Sequence, residues 1–368
     1  MKIGILTFHN AMNYGAILQC YALQQYLKSE FQCEVYIVDY TPRYFNKVFF
    51  DPRKPLEADG FKNKIKAIAK LIIKHDEMVK ASQKIQYLQE FITNKLNCRS
   101  TKYDDLDTFY DTIVVGSDQI WNLELLDNDI TYLLPNIMKC KKISYAASFK
   151  IQDVDNFALQ QYRKLLHGFD NISVRESNLV DYLREKVGVN STCVLDPTLL
   201  VNNEFWEKEV KNSRVIKDEY IVIYHVNKPD KLIDTAFEYA AERSLKVISL
   251  NKLSGDKDYL DCSDASIEIF LNLFRYAECV FTTSFHGMAF SIVYKKDFYF
   301  EVPEGSYNNN ARLTDLANKT GLISRNISFG IDKTPIKWAL VEHNLINNRQ
   351  ISRKYIEDAL AHSEGPYD

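Results

Sequence analysis

Short, largely apolar runs alternate along most of this chain with stretches in which apolar residues recur at helical spacing. Lys2 to Phe8 is the first such run, the pattern of a parallel strand covered on both faces. It breaks at His9-Asn-Ala-Met-Asn-Tyr-Gly15. Ala16 to Leu27 then carries Ile17, Leu18, Tyr21 and Ala22 at helical spacing, and Val35 to Val38 gives a second strand ending at Asp39. This is a βαβ opening with a loop at the carboxyl end of its first strand, where doubly wound sheets bind ligands. Thr112 to Val115 and Lys142 to Ala147 continue the strands, and a further one runs from Asn171 to end at Arg175.

The alternation resumes in the second half. Tyr220–Tyr224, Lys246–Leu250, Cys279–Phe281 and Asp297–Phe300 predict strands, with helices over Lys231–Arg243 and Ile267–Ala277 between them. Two such arrays predict an α/β fold of two Rossmann-like domains facing across a cleft. We place the N-terminal domain at 1–200, the C-terminal one at 201–345, and a helix in 346–368 that packs back on the first. A basic helical insertion is expected at about 61–96, where Lys62, Lys66, Lys70 and Lys74 form a stripe opposite Ile65, Ala69 and Ile72. Such a stripe suits either a solvated surface or contact with anionic lipid headgroups.

Composition narrows the classes. At 368 residues, with 46% hydrophobic and few glycines and prolines, the chain can fill two cores. A formal net charge of -3 gives no global field that recommends nucleic acid. Seven scattered cysteines fit reduced thiols in a cytoplasmic protein, with no metal expected. No run has the length of a membrane span, so any membrane contact is expected to be peripheral, through the basic helix.

The chemistry concentrates at strand ends. Phe281-Thr-Thr-Ser-Phe-His-Gly287 reads as strand, tight turn and helix, a place where backbone N–H groups and a helix dipole converge on an anion. His286 set there can donate a proton near neutral pH. At the first turn Gly15 is the only glycine, so the dinucleotide fingerprint is missing and NAD is not inferred. The segment Gly116-Ser-Asp-Gln-Ile-Trp-Asn122 sets polar side chains beside an indole, which suits a sugar, or equally a capped turn with a packed tryptophan. Arg175 at a strand end offers a planar fork for carboxylate or phosphate, or an ion pair with Glu176 or Asp181. Arg312 in the first turn of a helix opposes the dipole and needs an anion to justify it. Asp196-Pro197 reads as a structural corner.

Several of these stretches, in order, resemble the polysaccharide pyruvyl transferase family. They are Gly4-Ile-Leu-Thr-Phe with Asn13-Tyr-Gly15, Val115-Gly-Ser-Asp-Gln-Ile-Trp-Asn122, Ser144-Tyr-Ala-Ala-Ser-Phe149, Ser173-Val-Arg-Glu176, Val194-Leu-Asp-Pro-Thr198 and Thr283-Ser-Phe-His-Gly287. The resemblance implies a GT-B-like arrangement, phosphoenolpyruvate as co-substrate with no cofactor, and a sugar acceptor that receives pyruvate as a cyclic ketal. It implies His286 as general acid and Arg175 as its catalytic partner holding the donor. Ser284, Gly287, Arg312, Asn13 and Gly15 would bind the donor, and Ser117, Asp118, Gln119, Trp121 and Asn122 the acceptor. The family pattern has an arginine two residues before the histidine, where this chain has Ser284; the helix N-terminus and Arg312 are the candidates to replace that cation. A sugar-nucleotide glycosyltransferase, a serine hydrolase built on Ser284 and His286, and a non-catalytic sugar-binding protein are the competing readings. The acceptor sugar, its linkage to lipid and the oligomeric state are not legible.

Overall fold

The computed structural model describes residues 1–42, 75–210, 213–226, 229, 231–302 and 310–361. Twelve strands are named among them. They are β1 (Lys2–Leu6), β2 (Glu34–Val38), β3 (Cys98–Arg99), β4 (Thr112–Val115), β5 (Lys141–Ser144), β6 (Ser173–Val174), β7 (Thr192–Cys193), β8 (Tyr220–Tyr224), β9 (Lys246–Ser249), β10 (Leu260–Asp261), β11 (Cys279–Thr282) and β12 (Asp297–Phe300). The first sheet has the order β3-β2-β1-β4-β5 and the second β10-β9-β8-β11-β12, every pairing parallel. The parallel pair β6-β7 extends the first sheet, since Asn171 bridges Ile143 and Val174 bridges Ala147. Both sheets therefore reverse direction at one place, between β1 and β4 and between β8 and β11. Such switch points are where open α/β sheets hold ligands. The two Rossmann-like domains read from the alternation are present.

The central strands are continuous apolar runs because both of their faces are covered. Every residue of β4, β8 and β11 is buried, and the register places Ile5 beside Val114 and Phe281 beside Ile223. Helix α1 (Tyr14–Phe31) is buried on nearly every side rather than along one stripe. That is expected of a helix lying between two layers, and α1 lies between the first sheet and the second domain. Its first residue makes the join: Tyr14 stacks on Phe270 with ring centroids 4.4 Å apart and donates from its hydroxyl to the Ala265 carbonyl at 2.6 Å. One apolar core thus runs continuously from Ile3 and Ile17 through Leu199 and Trp206 to Val222 and Phe290, and the outer face of each sheet has a separate core.

Helix α2 (His75–Lys95) also spans the halves, with Lys80 paired to Asp261 at 2.9 Å and Glu77 to Lys252 at 2.6 Å. The lysine stripe expected at 62, 66, 70 and 74 lies outside the described residues. The short helix α3 (Pro197–Leu200) follows, and packs against α1. In the second domain come α4 (Leu232–Arg243), α5 (Ile267–Tyr276), α6 (Phe285–Val293) and α7 (Asn310–Thr320). The final helix α8 is Trp338–Leu360, one continuous element that starts well before the expected position because Val341 and Leu345 already share its buried face. It reaches the first sheet: Tyr355 donates to the Ser144 carbonyl at 2.7 Å, and Ser352 accepts from the Leu195 N–H at 2.9 Å. No helix among the described residues is long and apolar enough to cross a membrane.

Candidate functional site

The two switch points meet at His286. Strand β11 ends at Thr282, whose hydroxyl donates to the Tyr224 carbonyl at 2.6 Å and accepts from the Ser284 N–H at 2.9 Å, so the chain turns sharply there. Ser284 then caps α6, its hydroxyl accepting from the Gly287 N–H at 3.3 Å. His286 stands in the first turn of this helix and is 7% exposed. From the other domain, Asn13 caps α1 by accepting from the N–H groups of Gly15 and Ala16. Gly15 lies directly against the imidazole, and a Cβ placed on it would stand 2.0 Å from His286 Nδ1. A side chain there would have to displace the imidazole.

On its far side the imidazole faces Asp196. Nε2 lies 3.7 Å from Asp196 Oδ1 and is buried without a hydrogen-bond partner. Asp196 caps α3 and is itself wholly buried. Its Oδ1 accepts from the N–H of Thr198 at 3.0 Å and from its hydroxyl at 2.7 Å. Oδ2 accepts from Ser117 Oγ at 3.1 Å and from Arg175 Nη1 at 2.9 Å. Burial acts to raise the carboxyl's pKa, but His286, Arg175 and the Thr198 N–H outweigh it and hold Asp196 well below the usual carboxylate range. The corner expected at Asp196-Pro197 is there, but its carboxylate lies at the centre of the site, which the residue types did not disclose.

Arg175 is buried rather than on the surface. Its Nε donates to Glu176 Oε1 at 3.1 Å and its Nη1 to Asp196, while Nη2 makes no hydrogen bond and lies 3.6 Å from Asp118 Oδ1. Asp181 is no partner, since it pairs with Arg184. Burial favours the neutral form of the guanidine, but Glu176, Asp118 and Asp196 more than offset it and raise the pKa. The plane of the fork rests on the Phe285 ring at 4.5 Å, so the residue before His286 supports it. From α7 of the second domain, Arg312 Nη1 approaches the same Asp118 oxygen at 3.8 Å. Burial, together with the repulsion of Arg175, lowers its pKa to about 10, so it stays a cation at neutral pH. Arg175 and Arg312 are thus two cations set among three carboxylates, those of Asp118, Glu176 and Asp196. Protonation of His286 would bring the count to three against three.

Four of the five residues expected on the acceptor side, Ser117, Gln119, Trp121 and Asn122, are buried in the first domain. The structure puts Trp121 wholly inside the first domain's outer core, its indole N–H donating to the Tyr132 carbonyl at 3.1 Å, so its face is packed rather than presented to a sugar. Asn122 is buried and donates to Asp153 Oδ2 and Gln119 Oε1, and Ser117 is buried against Asp196 and the Ala146 carbonyl. These groups satisfy one another, as buried polar groups must. Gln119 is buried with them; Asp118 alone of the five turns toward the arginines. It does so in the left-handed region at φ 79°, two residues after Gly116 at φ 118°, where a Cβ would collide with the Tyr145 carbonyl at 2.2 Å. Of the expected donor-side residues, Gly15 lies against His286, Asn13 caps the helix that Gly15 begins, Ser284 and Gly287 share the turn of His286, and Arg312 reaches Asp118; the hydroxyl of Ser284 is engaged as a cap.

Among known proteins, a family model described as polysaccharide pyruvyl transferase matches residues 13–300. No curated protein matches the sequence. Among solved structures the chain is similar to UDP-GlcNAc 2-epimerase from Methanocaldococcus jannaschii, at 13% identity and TM-score 0.46, covering 99% of this chain and 94% of that one. It is also similar to S. aureus MnaA bound to UDP, at 11% identity and TM-score 0.45, with 97% and 90% covered. The E. coli ADP-heptose lps heptosyltransferase II has 10% identity and TM-score 0.40, with 94% and 99% covered. Likeness of this degree carries no argument about activity.

Proposed function

The chain belongs to the polysaccharide pyruvyl transferase family, and from that premise we propose that it transfers pyruvate from phosphoenolpyruvate to a sugar of a surface polysaccharide precursor. The methylene carbon of the enol phosphate takes a proton, a sugar hydroxyl adds at the adjacent carbon, the bond to phosphate breaks, and a second hydroxyl closes the ketal. Two hydroxyl protons leave; one balances the proton taken up by carbon and the other departs with phosphate. His286 is the acid for the carbon, and an acid so placed contributes about 10²- to 10⁴-fold. The Nη2 of Arg175 and the guanidinium of Arg312 take the donor's anionic groups in exchange for Asp118.

The observation that carries this reading is His286 held between Gly15 and Asp196, with the buried Arg175 on the same Asp196 and the partly buried Arg312 on Asp118. A sugar-nucleotide donor is less well served. Its phosphates would seek the N-terminus of α4, the first helix after the second sheet's central strand. That end is taken by the buried carboxylate of Glu301, which accepts from the N–H groups of Lys231 at 2.8 Å and Leu232 at 3.1 Å.

The test is to incubate the full chain with phosphoenolpyruvate and a panel of nucleotide-linked and lipid-linked sugars, following inorganic phosphate and the mass of each sugar. Phosphate release coupled to gain of one pyruvate ketal is expected. Calorimetric binding of UDP together with indifference to phosphoenolpyruvate would transfer the chain to the glycosyltransferase reading.

A further inference from the structure

The carboxylate of Asp196 is satisfied four times over without His286: twice by Thr198, once by Ser117 and once by Arg175. A residue there only to cap α3 and hold Arg175 would have no need to face a histidine. Yet Oδ1 is directed at His286 Nε2, and Nε2 is the buried polar atom of the imidazole that has no other partner. Buried polar atoms are rarely left alone in native proteins. The four bonds fix the carboxylate in place, so it cannot turn away. The ring in turn is confined, because Gly15 lies against its face near Nδ1. Closing the 3.7 Å gap to hydrogen-bond length requires a shift of somewhat less than about 1 Å.

We propose that Asp196 is a positioning residue that acts through His286, an inference that rests on the reading of His286 as the acid. Its carboxylate accepts the Nε2 proton and so fixes both the tautomer and the ring orientation. Nδ1, on the side of Gly15 and the first turn of α1, is left as the nitrogen that carries the transferable proton. When His286 is protonated, Asp196 offsets the charge that two arginines and two helix N-termini would otherwise oppose. The proton on Nε2 stays where it is throughout, and the one on Nδ1 goes to the substrate carbon.

The proposal is tested by nitrogen-15 NMR of the full chain with labelled histidines, the His286 signals being assigned by their loss in His286→Ala. Neutral His286 is expected as the Nε2–H tautomer, with Nδ1 unprotonated. In Asp196→Asn that preference should collapse, and the kcat of phosphate release should fall about 10²- to 10⁴-fold. Because Asp196→Asn can unfold the chain by freeing Arg175, Thr198→Val supplies a second arm. It removes only the hydroxyl donor to Oδ1, and should shift the tautomer balance and lower kcat about two- to tenfold. An Nδ1–H tautomer in the parent overturns the proposal, as does a folded Asp196→Asn that turns over like the parent. If Asp196→Asn does not fold, a Thr198→Val that leaves tautomer and kcat unchanged also overturns it. Should the parent fail to consume phosphoenolpyruvate with any acceptor, the pyruvyl transfer reading falls, and the tautomer measurement still decides the role of Asp196.

Discussion

Two turns leave the carboxyl ends of the central strands in this protein, Gly116–Asn122 after β4 and Thr283–Gly287 after β11, and they have opposite fates. Both offer small and polar residues next to an aromatic. In the first, the chain folds back into its own domain: Trp121 enters the core, and Asn122 donates to Gln119 and Asp153. In the second, a helix begins at once, Ser284 caps it, and His286 is carried across the seam to Gly15 and Asp196 of the other domain. A turn becomes a site when its polar groups are left over after its own domain is satisfied. The first turn contributes to the site through Asp118 and the Ser117 hydroxyl, which point at Arg175, Arg312 and Asp196.

That contrast can be broken most directly at His286. His286→Ala should lower phosphate release by about a hundredfold or more with little change in the unfolding midpoint, and equal rates would remove the residue from the chemistry. Trp121→Ala should do the reverse. Deleting a wholly buried indole costs about 3–5 kcal/mol of stability, seen in denaturant melts, while the rate per folded molecule is kept. A selective loss of acceptor binding in that variant would restore the sugar-plate reading. Gly15→Ala should come next, with a loss of about ten- to a hundredfold in kcat, since the added methyl group must push the imidazole out of line. Its fold should be retained, because alanine is a good helix residue at the start of α1.

The smallest expected change is in the pH dependence of stability, set by Asp196, which binds one turn and faces the other. Its pKa is depressed in the folded state, so the carboxylate contributes stability that is fully present above the unfolded value of about 3.9 and is lost as the pH falls below it toward the folded value. The stability gap between the parent and Asp196→Asn, measured by chemical denaturation, should therefore narrow as the pH falls below about 4. A gap independent of pH would mean that the charge of Asp196 is not what stabilises the site.

Much of the fold was legible because burial on both faces leaves a clear mark. The runs Thr112–Val115, Tyr220–Tyr224 and Cys279–Phe281 could only be covered strands, and their alternation with helices forces parallel sheets. His286 was legible too, as an ionisable residue just after a strand end. Trp121 was not, because an indole after Gly-Ser-Asp-Gln looks the same whether it packs inward or faces a ligand. Asp196 was hidden for a different reason. Asp-Pro-Thr signals a capped helix start, and the cap is there, but the signal gives no hint of what lies beyond the carboxylate.

What the sequence determined by itself was the set of local states, since strand, helix and cap depend on neighbours a few residues away. Which leftover polar groups meet was set by the packing of the two domains. Gly15, Asp196 and His286 come from three distant stretches, joined when Tyr14 and the shared core lock the two domains together. Their contact depends on how two sheets are set against each other, and no spacing along the chain encodes that.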